Sequence, residues 1–188
     1  MASEQWFILS YVLPSEPSRK RVLAWRHLRK LGAIYLDTGI WFLPYLPALQ
    51  PKIETILTEI REMGGRCHSF IASGTDQAAG KDLHDIYARA RRDEYADLLE
   101  KCERYLRHVE RLVDAGDFEF AAVEELEEDL EKRRRWLAQI KERDAFGLEE
   151  RISVEACLNR CEEALSGFVE SAYLAGAGTR DSVREQGS

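Results

Sequence analysis

Residues 6–13 read WFILSYVL, and residues 14–32 read PSEPSRKRVLAWRHLRKLG. The first run has the aromatic and β-branched composition of a strand, and Pro14 ends it. The second run starts with prolines, which suit the first turn of a helix, and it ends at Gly32, a residue that favours helix ends. The chain therefore opens with a strand that leads directly into a helix.

The residues that follow extend this pattern into a recognisable order. Two short apolar runs at 33–36 and 40–43 flank an Asp-Thr-Gly turn and predict a hairpin. An amphipathic helix at 47–63 and a strand at 67–72 come next. The order β-α-β-β-α-β predicts an α+β protein whose head, residues 1–73, is a ferredoxin-like module with an antiparallel sheet.

The remainder of the chain is predicted to be a helical tail. Apolar residues recur three or four positions apart in three segments within residues 80–175, which predicts about three helices packed on one another. Residues 176–188 are polar and rich in glycine, and we predict that they are disordered.

Composition and charge limit the classes of function. The 188 residues carry a formal net charge of −7, but residues 1–72 hold nine Lys and Arg against six Asp and Glu. A basic head in an acidic chain indicates a nucleic acid or a small oxyanion as partner. The sequence shows no signal peptide, and no apolar run approaches the ~20 residues that span a bilayer, so we expect a cytoplasmic protein without membrane contact. The four cysteines lack metal-ligand spacing and are expected to be free thiols.

The helix within residues 14–32 carries the strongest functional signal. Its apolar face is predicted to hold Ala24, Trp25, Leu28 and Leu31. On the opposite face lie Arg19, Arg26 and Lys30, and we predict that these three residues and Arg29 bind nucleic-acid phosphates. A merely solvated charged helix face is the alternative interpretation.

Three further arginines are candidate anion ligands. Arg21 projects close to the apolar stripe, so we expect it to be partly buried and to need an anionic partner. A second basic cluster contains Arg89, Arg91 and Arg92, beside Asp93 and Glu94. Arg91 would line a pocket, or alternatively form a buried ion pair with a neighbouring carboxylate.

No pattern for catalysis or a bound cofactor occurs. The sequence contains no GxGxxG, no GxxxxGK[ST] and no GxSxG, and its four histidines show no HxxxH pairing. We therefore expect no catalytic residue, no metal site, no cofactor and no enzymatic activity.

Several stretches resemble the amino-terminal domain of the chromate resistance protein ChrB family. The resemblance covers roughly residues 5–170 and rests on the opening 6–33 together with GIWFLP at 39–44, RRDEY at 91–95 and KERDAF at 141–146. It implies a DNA-binding transcriptional regulator of chromate resistance, with an oxyanion such as chromate as effector. The predicted small sheet, with its edge strands and open face, separately predicts a homodimer. Two-domain members carry a further domain, for which we expect no room here. The alternative is a protein-protein interaction module that acts with a partner carrying the sensing domain.

The head is also similar to the ferredoxin-like module of phenylacetate-type repressors and of CRISPR-associated core endonucleases. No helix-turn-helix precedes it here, so the usual DNA-reading element of those repressors is missing. The endonucleases carry an Asp at the end of the first strand, where this chain has Ser10 and Tyr11. Because that carboxylate would hold a metal ion, its absence argues against nuclease activity.

Overall fold

The computed structural model describes residues 5–36 and 39–185, with side chains as far as residue 175. Its elements are β1 Gln5–Val12, α1 Ser18–Leu31, β2 Ile34–Leu36, β3 Ile40–Pro44, α2 Gln50–Glu62, β4 Arg66–Ser73, α3 Gln77–Ala115, α4 Phe120–Arg143 and α5 Glu150–Glu185. A short 3-10 turn, Pro47–Leu49, precedes α2. The predicted α+β architecture with three tail helices is confirmed.

The four strands form one antiparallel sheet in the order β2-β3-β1-β4. The two central strands are the apolar ones, because each must be covered on both faces. In their register Phe7 opposes Leu43, and Leu9 opposes Trp41. This is the split βαββαβ arrangement of a ferredoxin-like module, as the element order predicts.

Different helices cover the two faces of the sheet. On one face Cys67, which opposes Tyr11, donates its thiol to the Leu57 carbonyl of α2 at 3.8 Å. On the other face the Trp6 ring makes edge contacts with Phe42 and with Tyr87 of α3, at centroid distances of 5.5 and 6.2 Å. The first turns of α3 thus supply the second cover that such a sheet requires.

The chain divides into two compact units, residues 1–90 and 91–188, and the division falls inside α3. The first unit contains the sheet, α1, α2 and the part of α3 that carries Tyr87. The sequence instead placed a linker between residues 73 and 80, ahead of α3. The domain boundaries drawn from the sequence stay a prediction.

The second unit has a core built from the apolar stripes of its three helices. Most of the predicted stripe residues are buried there; they include Tyr95, Leu98, Tyr105, Val109, Val123, Leu126, Leu130, Leu137, Ile140, Val154, Leu158 and Phe168. Cys102, Cys157 and Cys161 are buried in the same core, and all four cysteines of the chain are free, as expected.

The last helix is longer than the sequence pattern indicated. The backbone of α5 is helical as far as Glu185, beyond the predicted start of a disordered tail at residue 176. Residues 186–188 lie outside the described residues, and the disordered tail stays a prediction.

Candidate nucleic-acid interface

Helix α1 presents the basic surface that the sequence singles out. It starts after Pro17 and ends at Gly32, whose φ of +93° lets its N–H reach the carbonyls of Leu28 and Arg29. Ala24 and Leu28 are buried, which fixes the side of the helix that packs within the first unit. The opposite side is therefore directed to solvent.

Four exposed cations form this surface, which we call the α1 basic face; they are Arg19, Arg26, Arg29 and Lys30. Arg19 and Lys30 lie eleven positions apart, which corresponds to about 16 Å along a helix. Among the residues that the structure describes, no carboxylate lies within ion-pair distance of any of the four. One of them contacts an aromatic ring: the Arg29 guanidinium lies 5.8 Å from the Trp25 ring centre. These charges are thus available to a partner.

The neighbouring polar residues of α1 serve the fold instead. Lys20 donates from Nζ to the Met63 carbonyl at 2.9 Å, which ties the start of α1 to the end of α2. His27 Nδ1 lies 2.6 Å from Glu59 Oε2 on α2. These two contacts hold α1 in place, so the basic face is presented on a fixed element.

Arg21 does not have the environment that the sequence predicts. It is exposed, and no acidic partner for it exists within residues 5–36 and 39–175. Arg21 shares a helical stripe with Ala24 and Leu28, but it lies in the first turn, where that stripe borders an open pocket rather than packed side chains. The expectation of partial burial is therefore wrong.

Trp25 also departs from its predicted place in the apolar face of α1. Its side chain is 49% exposed, and it lines the same pocket as Arg21. Periodicity identified the correct side of the helix, but it could not show how far the sheet extends beneath it. The sequence analysis therefore did not predict this pocket. Its aromatic lining residues lie on separate elements of the chain, so no single segment of the sequence indicates a pocket.

Two arginines of the second basic cluster, Arg91 and Arg92, lie in the second unit and form ion pairs. Arg91 is 2% exposed and approaches Glu94 Oε2 with Nη1 at 3.5 Å. Arg143 approaches the same oxygen with Nη2 at 3.3 Å. Arg92 is exposed and pairs through Nε with Glu150 Oε1 at 3.0 Å. Glu94 therefore bridges two arginines, and the anion-binding role of Arg91 and Arg92 stays a prediction.

Metal-ligating side chains do not cluster in the part of the chain that the structure describes. No group of three or more His, Cys, Asp or Glu side chains in this part of the chain could hold a metal ion. Ser10 and Tyr11 occupy the end of β1, with Ser10 opposite Ile40 on one side and His68 on the other. No helix within the same residues is both long and apolar enough to cross a bilayer.

Comparisons with known proteins identify relatives of one kind. The family model "Protein ChrB, N-terminal" matches residues 21–179. A protein named Protein ChrB from Cupriavidus metallidurans is 28% identical over 92 residues, which are 49% of this chain and 28% of that relative. The match thus spans little more than a quarter of the relative's length. No solved structure matches the chain significantly.

Proposed function

This chain belongs to the family of ChrB amino-terminal domains, and on that premise we propose that it is a non-catalytic, DNA-binding regulator of chromate resistance. The observation that carries the proposal is the α1 basic face: four exposed cations without carboxylate partners among the described residues, in a chain of net charge −7. In a protein that repels DNA on average, a local positive surface must supply the attraction.

The geometry favours contact with phosphates rather than with bases. Arg19, Arg26 and Lys30 follow one side of α1 at spacings of seven and four residues, so their side chains lie in a row. Arg and Lys in such a row neutralise successive phosphates and position the protein, but they read no sequence. We propose that specificity comes from other parts of the protein or of the assembly in which it acts.

The test is fluorescence anisotropy with labelled duplex DNA across a salt series. One duplex carries promoter DNA of a chromate-resistance operon, and a second has the same length but unrelated sequence. Loss of each phosphate contact should lower the slope of log K against log salt by about 0.9. Arg26→Ala combined with Lys30→Ala should therefore weaken binding and flatten the slope by about two units on both duplexes.

A matched control removes the same charge elsewhere. Arg107 and Arg111 are also exposed, four residues apart, and lie in the second unit. Replacing both by Ala should leave the salt slope unchanged. Absence of wild-type binding at about 50 mM salt, where phosphate contacts are strong, would remove the DNA proposal. An equal loss in both double variants would show that net charge, and not the α1 basic face, drives binding.

A protein partner is the second candidate function, and one observation favours it. The start of α4 exposes three carboxylates that form no ion pair with the described cations; they are Glu124, Glu125 and Glu127. The next acids along α4, Glu128, Asp129 and Glu131, are paired, for example Asp129 with Arg133 at 3.2 Å. An acidic surface of this kind suits a basic partner protein, such as one carrying the sensing domain. If the wild-type protein does not bind DNA, a protein partner becomes the favoured function.

A further inference from the structure

A pocket of about 680 Å³ opens beside α1 in the first unit. Its walls come from the end of β1, the first turns of α1 and the β2-β3 hairpin, and they include Tyr11, Arg21, Val22, Trp25, Tyr35 and Trp41. This volume is within the usual range for small-molecule sites. We call it the α1 pocket.

The walls of the α1 pocket are aromatic and incompletely covered. Trp25 and Tyr35 are both 49% exposed, although each is large and apolar enough to favour burial. Tyr35 packs against Trp41 with ring centres 5.2 Å apart and planes inclined by 56°. Exposed apolar groups gathered in one concavity are typical of a ligand site and are uncommon on an inert surface.

The pocket also carries a positive charge. Arg21 is the only charged residue among the described residues that line it, and the first turn of α1 contains no acid. The positive end of the helix dipole adds to this charge. A guanidinium presents a planar fork that matches a carboxylate, so the pocket is complementary to one negative charge next to an apolar body.

Two phenols complete the polar part of the site. Tyr11 and Tyr35 both line the pocket, and burial together with the neighbouring Tyr35 phenol raises the pKa of Tyr11. The Tyr11 hydroxyl therefore remains protonated and can donate a hydrogen bond to an anion. Arg21 and Tyr11 provide donors of different kinds at one site.

We propose that the α1 pocket binds a flat aromatic carboxylate, with the ring between Trp25 and the Tyr35-Trp41 pair and the carboxylate on Arg21. A tetrahedral inorganic dianion such as chromate is a poor fit, because one arginine among indole walls replaces little of its hydration. This inference goes beyond the DNA proposal, since none of the four residues of the α1 basic face lines the pocket.

Isothermal titration calorimetry with 2-naphthoate tests the inference. Its neutral analogue 2-naphthamide has the same ring system, and sulfate and chromate supply charge without a ring. We expect saturable binding of 2-naphthoate and at least about tenfold weaker binding of 2-naphthamide, as expected for loss of a charge-assisted hydrogen bond. Sulfate and chromate at the same concentration should not displace 2-naphthoate.

Two variants assign the contacts. Arg21→Gln should weaken 2-naphthoate binding about tenfold and leave 2-naphthamide unaffected, whereas Trp25→Ala should weaken both. Arg61→Gln is the matched control, because Arg61 is exposed in the same unit but does not line the pocket. All three positions are exposed, so circular dichroism should show unchanged folding.

Three results would overturn the assignment. One is no saturable binding of 2-naphthoate by the wild-type protein at about millimolar concentration, the weak limit for a specific small ligand. Another is equal affinity for 2-naphthoate in Arg21→Gln and Arg61→Gln. The third is displacement of 2-naphthoate by chromate through Arg21, which would make the site an inorganic oxyanion site.

Discussion

The carboxylate of Asp144 organises the loop between α4 and α5. Its Oδ1 accepts hydrogen bonds from the backbone N–H groups of Phe146 and Gly147 at 3.2 and 3.0 Å. Its Oδ2 accepts from the Leu148 N–H at 2.9 Å and from the Tyr95 hydroxyl at 3.0 Å. Burial and this acceptor both raise the pKa of Tyr95, which therefore stays a donor. One side chain thus satisfies three backbone donors and connects the loop to α3.

Asp144→Ala should lower the free energy of unfolding by about 2 kcal/mol, because it leaves several donors without their acceptor. Tyr95→Phe should cost about 1 kcal/mol, and the double variant should cost less than the sum of the two, since the residues share a hydrogen bond. Urea denaturation followed by circular dichroism measures these values. Asp117→Ala, in the exposed loop between α3 and α4, is the control and should cost little. Equal losses at both positions would contradict the assigned role of Asp144.

Individual side chains were predictable where one local rule decided their environment. Spacing on α1 predicted that Arg19, Arg26 and Lys30 point away from the packed face, and all three are exposed. The same spacing failed for Arg21 and Trp25, because it identifies the side of a helix but not where the surface beneath it ends. The α1 pocket was missed for this reason: its walls come from three separate segments of the chain.

The junction between α2 and β4 depends on two consecutive glycines with different roles. Gly64 has a φ of +81°, the left-handed conformation that ends the helix. Gly65 donates its N–H to the Ile60 carbonyl at 2.9 Å. A Cβ atom on Gly65 would lie 2.8 Å from the carbonyl oxygens of Ile60 and Val12, and 2.7 Å from a Leu13 methyl group. The strand can therefore follow the helix closely only if this residue has no side chain.

Gly65→Ala should destabilise the protein by about 2 kcal/mol or more, because the added methyl group meets backbone atoms that cannot move aside cheaply. Gly167→Ala is the matched control: Gly167 lies within α5, and a Cβ atom there would meet nothing within 4 Å. That control should be neutral or stabilising by up to about 1 kcal/mol. Thermal melts of both variants provide the comparison, and a Gly65→Ala variant as stable as the wild type would contradict the packing described here.

Most of the helices and strands could be predicted from the sequence. Each strand and helix of the head follows from an apolar pattern closed by a proline or a glycine, and each tail helix follows from its stripe. The division between the two units could not be predicted, because α3 continues through it without a break and Tyr87 packs on the sheet. A continuous helix carries no sequence signal for the position at which its packing partner changes.

The sheet has an outer strand that is well suited to pairing with a second copy of the chain. β4 is eight residues long and lies at the edge of the sheet, next to β1 only. It contains no proline and no acidic residue, and its basic side chains are those of Arg66 and His68. The Phe70 side chain is 62% exposed. Natural edge strands are usually shortened, charged or covered, because their free N–H and C=O groups recruit other strands. β4 lacks these protections along most of its length.

We therefore predict a homodimer in which two β4 strands pair antiparallel across a two-fold axis. Light scattering coupled to gel filtration should give twice the 21.6 kDa chain mass at tens of micromolar protein. Phe70→Lys should yield a monomer, because charge on an edge strand opposes pairing. Phe120→Lys changes a side chain that is also exposed but lies on α4, so it should leave the dimer intact. A monomeric wild type, or dissociation of both variants alike, would exclude β4 as the interface.

Dimerisation would also place two α1 basic faces on one particle, so the monomeric Phe70→Lys variant should bind DNA with a smaller salt slope than the wild type.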